Sequence, residues 1–232
     1  MEKAEFDKFA EEYERLHAAH LGMSGEGPEY FADYKMRDFK SLLDSADCIA
    51  ADGRYLDFGA GVGSAIPHFL KYLPAAKLTC VDVSEKSLAI ASAKHAGVAE
   101  FSLFDGAVLP YKDATFDGAY SSCVFHHIPA DHHVALLTEL RRVLKPNGLM
   151  MIYEHNPLNP LTLKVVRDCP FDEDAVLIKA GVMKSRLAAA GFADVHARFR
   201  VFFPKALRGI RKLEDVLFWL PLGAQYFVSA RK

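Results

Sequence analysis

Cysteine is scarce in this sequence, and none of its four residues, Cys48, Cys80, Cys123 and Cys169, forms a CxxC pair. A zinc knuckle or a disulfide framework is thereby excluded as the basis of the fold, and a reducing compartment is expected. Net charge is almost absent: 28 Lys and Arg against 30 Asp and Glu leave −2, so nothing global points to nucleic acid. Long apolar runs are missing as well. The longest uncharged stretch, 216–230, is broken by Pro221 and Gly223 and is too short to span a bilayer. The opening Met-Glu-Lys-Ala-Glu-Phe lacks the basic-then-apolar pattern of a signal peptide, so a cytoplasmic protein is expected. There is no internal repeat and no low-complexity tract.

What the sequence has is apolar material, 51% of 232 residues, enough for one sizeable α/β domain. Charge is unevenly spread: residues 1–52 hold thirteen acids against six bases, and residues 196–212 hold six bases and no acid. Apolar spacings of three and four predict helices over roughly 2–20 and 29–45. From 55 onward, short apolar runs alternate with amphipathic stretches. Strands are expected at 55–58, 77–81, 100–104, 116–124 and 149–153, with further ones at 193–203 and 223–230. Helices are expected at 64–73, 84–95 (Ser84 as N-cap), 131–144 (stopped by Pro146-Asn147-Gly148) and 179–190. A basic amphipathic helix over about 205–220 is expected to cross over the sheet with Trp219 in the core. Such alternation predicts a Rossmann-like, doubly wound, mainly parallel sheet with helices on both faces. Ligands then bind beyond the carboxyl ends of the strands.

Three strand ends carry suitable groups. The first is the turn Asp57-Phe58-Gly59-Ala60-Gly61-Val62-Gly63, a G-x-G-x-G pattern preceded by an acid. A dinucleotide fingerprint would read G-x-G-x-x-G, but Ser64 holds the last place. A pyrophosphate wants free N–H groups and no adjacent carboxylate, whereas a cofactor with ammonium and sulfonium cations suits Asp57. Asp82 closes the second strand beside Val83 and can accept from both ribose hydroxyls. Asp105-Gly106 follows the third and offers a carboxylate to an adenine amino group.

With these segments the chain resembles the class I S-adenosylmethionine-dependent methyltransferases, in particular their small-molecule branch. The resemblance is carried by 56–63, 81–84, 104–106, 116–118 through His126-His127-Ile128, and 144–148. It implies a seven-stranded sheet with its last strand antiparallel, S-adenosylmethionine as cofactor and S-adenosylhomocysteine as product. It further implies Ser122 and Cys123 beside the methionine part, and an N-terminal helical cover. The expected layout is a cover over 1–48 and a methyltransferase domain over 49–232, with an insertion at about 154–178. Within the cover, Tyr13, Tyr34 and Lys35 are the residues expected near the site, Lys35 for a carboxylate.

Methyl transfer requires positioning of the acceptor and removal of its proton. His126 and His127 after the fourth strand, and Glu154 at the end of the fifth, are the candidate catalytic groups. His155, Asn156 and Arg167 are candidates for binding a hydroxylated acceptor, with Arg167 available to an anionic group on it. The family's Asn/Asp-Pro-Pro-Tyr/Phe motif is absent at the fourth strand, which disfavours planar nitrogens. A metal-assisted centre can be drawn from Glu154, His155 and Asp172, but these lack a firm His/Asp spacing and no metal is assigned. The expected acceptor is a small molecule, with anionic and lipid-linked ones admitted, on a monomer or homodimer. A nicotinamide-dependent oxidoreductase and a catalytically silent cofactor-binding protein stand as alternatives.

Overall fold

A computed structural model describes residues 25–45, 50, 52–169 and 172–232; the helix expected over 2–20, with Tyr13, lies outside them. Helix α1 spans Pro28–Asp44, with Pro28 in the first turn, where no N–H is required. The strands are β1 Arg54–Phe58, β2 Lys77–Asp82, β3 Glu100–Leu103, β4 Phe116–Ser122, β5 Leu144–His155, β6 Ala193–Arg200 and β7 Gln225–Arg231. Between them lie α2 Ile66–Tyr72, α3 Glu85–Lys94, α4 His133–Val143, α5 Pro160–Arg167, α6 Ala180–Ala189 and the single turn α7 Glu214–Leu217. Ser84 caps α3 by accepting from the Ser87 N–H.

The strands form one seven-stranded sheet in the order β3-β2-β1-β4-β5-β7-β6. β1 to β5 pair in parallel, while β7 is antiparallel to both β5 and β6. Strand order reverses between β1 and β4, so the loops leaving their carboxyl ends diverge and open a crevice.

Alternation along the strands feeds two cores. Leu56 and Phe58 join Leu136, Leu140, Met183 and Leu187 from α4 and α6 on one face. Tyr55, Tyr120 and Tyr153 join Phe39, Ile66 and Phe69 from α1 and α2 on the other. Each such side chain stabilises by roughly 1.5–3 kcal/mol on burial.

Two expectations fail here. Pro146-Asn147-Gly148 does not separate α4 from the next strand. β5 starts directly at Leu144, and the pairing with β4 shifts between Phe116 and Gly118 to absorb the turn residues. Nor does the segment 205–220 form a crossover helix. It makes 3-10 turns over Lys205–Leu213 followed by α7, and Trp219 is 65% exposed. The reason is topological: β7 returns antiparallel beside β6, so the connection has no sheet to cross. It leaves from Arg200 and returns at Gln225, which also pairs with His155 of β5, so it overhangs the carboxyl edge.

That excursion is fastened to α1. Arg200 makes two bonds to Asp38, Nε to Oδ2 at 2.9 Å and Nη2 to Oδ1 at 2.6 Å, and Tyr153 donates to Asp38 Oδ2 at 3.0 Å. The Tyr34 hydroxyl donates to Glu214, whose other oxygen accepts the Phe202 and Phe203 N–H groups. Arg211 reaches Glu26 at 2.8 Å.

Candidate active site

A cavity of about 820 Å³ lies over the crevice, bounded by α1, the strand-end loops and the 201–224 excursion. Its floor at one end is the glycine turn. Gly59 has φ +81°, and a Cβ there would lie 2.4 Å from Val124 Cγ2, inside the turn after β4. Gly63 sits away from the cavity; a Cβ on it would meet Ile66, His95 and Ala91 at 2.9–3.1 Å, so it serves the approach of α2 to α3. Asp82 ties this turn to β2, its Oδ2 accepting from Gly61 N at 2.8 Å and its Oδ1 from Ser84 N at 2.9 Å. Asp105 Oδ1 accepts from Ala107 N and Val108 N at 2.8 and 2.9 Å, shaping a turn at the cavity edge.

Asp57 is 2% exposed, accepts from the Tyr120 hydroxyl at 2.9 Å and lines the cavity. Burial, reinforced by the nearby Asp82 charge and opposed by the Tyr120 bond, pushes its carboxyl up to about 7. A buried acid so disposed calls for a cation. Lys35 of α1 donates to Ser122 Oγ at 2.8 Å and to Cys123 Sγ at 3.4 Å. Cys123 holds a left-handed backbone, φ +59°, a conformation that non-glycine residues keep only when their surroundings impose it. Burial would raise its thiol, but Lys35 and His155 more than offset this and bring it down to about 6.

The other end of the cavity is a histidine–carboxylate cluster. Glu154, fully buried, accepts from Phe125 N at 2.9 Å and faces His126 Nδ1 at 2.5 Å. His126 Nε2 lies 3.3 Å from Asp172 Oδ1, and His127 Nε2 lies 3.5 Å from the same oxygen. Burial opposes a charge on His126, yet Glu154 and Asp172 outweigh it and raise the imidazolium to about 10. Burial and the His126 charge lower His127 to about 4. Asp172 would be raised by burial, but the surrounding imidazoles hold it down near 2.

Of the residues singled out in the sequence, Lys35, Asp57, Gly59, Ala60, Gly61, Asp82, Val83, Asp105, Gly106, Ser122, Cys123, His126, His127 and His155 all border the cavity. Besides Gly63 and Tyr34, which do not line the cavity, three expectations need correcting. Glu154 stands behind His126 and does not reach the cavity, because its face of β5 is covered by the turn 125–127. Asn156 is a buried brace, donating to the Pro221 and Gly223 carbonyls and accepting from Leu158 N. Arg167 points outward from the end of α5, 76% exposed beside Asp168. The metal set drawn from the sequence also changes: His126, His127 and Asp172 gather, while Glu154 backs His126. Sequence reading missed Phe202, Phe203, Arg211 and Gln225, which reach the cavity from the excursion. Only the run of bases there gave any signal.

Residues 56–152 match the profile of a methyltransferase domain family. The chain is 30% identical over 167 residues to a trans-aconitate 2-methyltransferase of Methylobacterium nodulans, covering 72% of this chain and 63% of the relative. It spans less than two thirds of the length of the curated relatives it matches. Its fold superposes on an S-adenosylmethionine-dependent methyltransferase from Thermotoga maritima with a TM-score of 0.66, 20% identity and 98% of both chains covered. A second such structure, from Archaeoglobus fulgidus, gives 0.65 at 19% identity, with 89% of this chain and 95% of that one covered.

Proposed function

We propose that the chain is a class I S-adenosylmethionine-dependent methyltransferase, as its matches to methyltransferases support, and that it methylates a hydroxyl oxygen on a small-molecule acceptor. The observation that carries this reading is one cavity with Asp57 and the glycine turn at one end and the His126–His127–Asp172 cluster at the other. Acceptor names among the relatives range over trans-aconitate, a sterol and demethylmenaquinone, so the local chemistry has to select the atom.

The residues present fit the cofactor. Asp57 takes its ammonium group, Asp82 its ribose hydroxyls and Asp105 its adenine edge, while the turn 59–61 supplies close backbone approach. S-adenosylmethionine supplies an electrophilic methyl group on a cationic sulfur, the C–S bond breaking as the new bond to the acceptor forms. Lys35 fixes Ser122 and Cys123 next to that region. A hydroxyl must lose its proton as it is methylated, whereas a neutral amine attacks through its lone pair. A cluster of imidazoles and a carboxylate serves the former need: the His126–His127–Asp172 cluster holds the acceptor hydroxyl and promotes loss of its proton, with Glu154 as a positioning residue behind His126. Tyr30, Phe31, Met36, Phe202 and Phe203 line the remaining wall, which suits an acceptor with an apolar or aromatic body. Arg167 faces away, and the Arg and Lys side chains that border the cavity are engaged, Arg211 by Glu26 and Lys35 by Ser122 and Cys123; a neutral acceptor is therefore favoured over an anionic one.

Calorimetry with S-adenosylmethionine and with NAD, followed by S-adenosylhomocysteine release over a pool of hydroxylated acceptors, tests this. Binding of the former alone, with turnover on a hydroxyl compound, is expected. Tight NAD binding without S-adenosylmethionine binding would sink the reading.

A further inference from the structure

We propose that His126, His127 and Asp172 bind one first-row divalent cation of the zinc or iron kind at the acceptor end of the cavity. What the ion does there builds on the methyl-transfer reading; its uptake stands apart from that reading.

The three side chains each offer a ligand atom, and these atoms lie within 4.8 Å of one another. Two of the separations, 3.3 Å and 3.5 Å from Asp172 Oδ1 to the Nε2 atoms of His126 and His127, match the spacing that a metal imposes. Metal–nitrogen bonds of about 2.0–2.1 Å in a tetrahedral shell set neighbouring donors about 3.3 Å apart. The set is also built from behind. Glu154 engages His126 Nδ1 at 2.5 Å, the carboxylate–histidine arrangement that orients a ligating ring, and the Nε2 proton of the metal-free ring is released to water as the metal takes its place. The segment carrying Asp172 is pinned to the histidine turn by the bond from Val176 N to the His126 carbonyl, 2.8 Å.

An ion pair alone does not account for the arrangement. His126 Nε2 belongs to a side chain with 0% exposure, lies 3.3 Å from Asp172, and is in no hydrogen bond. A buried polar atom without a hydrogen-bond partner, within 4.8 Å of two other donors, is what a cation would satisfy. Two imidazoles and one carboxylate suit zinc or iron, whereas magnesium and calcium want oxygen shells. His127 and Asp172 retain 15% and 12% side-chain exposure toward the cavity, so three protein donors leave a position open. An acceptor hydroxyl placed there meets a Lewis acid that lowers its pKa, and its proton passes to water at the cavity mouth.

The test uses the full chain stripped with a chelator and titrated with Zn²⁺ and with Co²⁺. Binding is followed by calorimetry, by the visible absorption of bound Co²⁺, and by the shift in thermal midpoint. One equivalent is expected, with the midpoint raised by the metal. Asp172→Asn and His127→Gln should each weaken binding by about a hundredfold or more, and Glu154→Gln by about 10- to 100-fold. His196→Ala, on the exposed edge strand, should bind as the parent does. The midpoint of each metal-free variant reports whether it is folded. No stoichiometric uptake, or uptake unchanged in folded Asp172→Asn and His127→Gln, overturns the site. Turnover that is independent of metal overturns the ion's role and leaves the methyl-transfer reading intact. A chain that takes up metal but does not bind S-adenosylmethionine overturns that reading and leaves the site standing.

Discussion

Replacing Asp57 by Asn separates what this residue does for the ligand from what it costs the fold. Asp57 faces Tyr120 of β4, Asp82 of β2 and Lys35 of α1, and burial with the Asp82 charge raises its carboxyl to about 7. A cationic ligand group binds its ionised form. At pH 8 about nine tenths of it is ionised and at pH 6 about one tenth, so S-adenosylmethionine affinity should fall about tenfold between them. In Asp57→Asn the charge-assisted bond, worth roughly 1.5–3 kcal/mol, is lost. Affinity at pH 8 should drop roughly ten- to a hundredfold, and the pH dependence should flatten. Stability should move the other way. A folded-state pKa above the ordinary 3.8 contributes stability in acid that is lost as pH rises through about 7. Above pH 7 the ionised carboxylate then weighs against the ligand-free fold by up to about 4 kcal/mol. The Asn variant should accordingly melt several degrees higher than the parent at pH 8 and gain nothing at pH 4. Calorimetry and thermal melts across pH 4–8 read both effects. Parental affinity that is flat from pH 6 to 8, or an Asn variant that binds as tightly as the parent, would refute the reasoning.

Other outcomes follow from the same geometry. Gly59→Ala forces a Cβ to 2.4 Å from Val124; cofactor binding should be lost while the far-ultraviolet circular dichroism is kept. His127→Ala should lower turnover by about 10²–10⁴-fold with S-adenosylmethionine affinity unchanged in calorimetry; equal losses in both would show a merely structural role. Asp38→Ala removes both close bonds of the buried Arg200 and leaves it the Asp215 carboxylate at 3.8 Å, and urea unfolding should show about 3 kcal/mol of destabilisation; a change below about 1 kcal/mol would contradict the fastening of α1 to the excursion.

Much of the proposed cofactor end was legible because its groups sit at strand ends, where sequence order and spatial order coincide. Asp57, Asp82 and Asp105 close successive parallel strands, and periodicity suffices to find those. The acceptor end was legible only in part. His126 and His127 are adjacent in sequence, but Asp172 reaches them through a segment with no periodicity of its own. Its place at the end of β5 marks Glu154 as a catalytic candidate, whereas its side chain stands behind His126. The helix phase of α5 decides that Arg167 faces solvent while Thr162 and Val165 face the cavity, a distinction that charge alone does not make. The 205–220 segment misled because an amphipathic pattern reports two unlike faces and says nothing of whether a sheet lies beneath. Only the antiparallel return of β7 settles that.

The measurement that bears most directly on the central claim is transfer from methyl-¹³C S-adenosylmethionine to a hydroxylated acceptor, with the product read by carbon NMR. The account predicts a label carried as an O-methyl group, dependent on the His126–His127–Asp172 cluster. A label found on nitrogen or carbon, or transfer to oxygen that survives loss of the cluster, would contradict it.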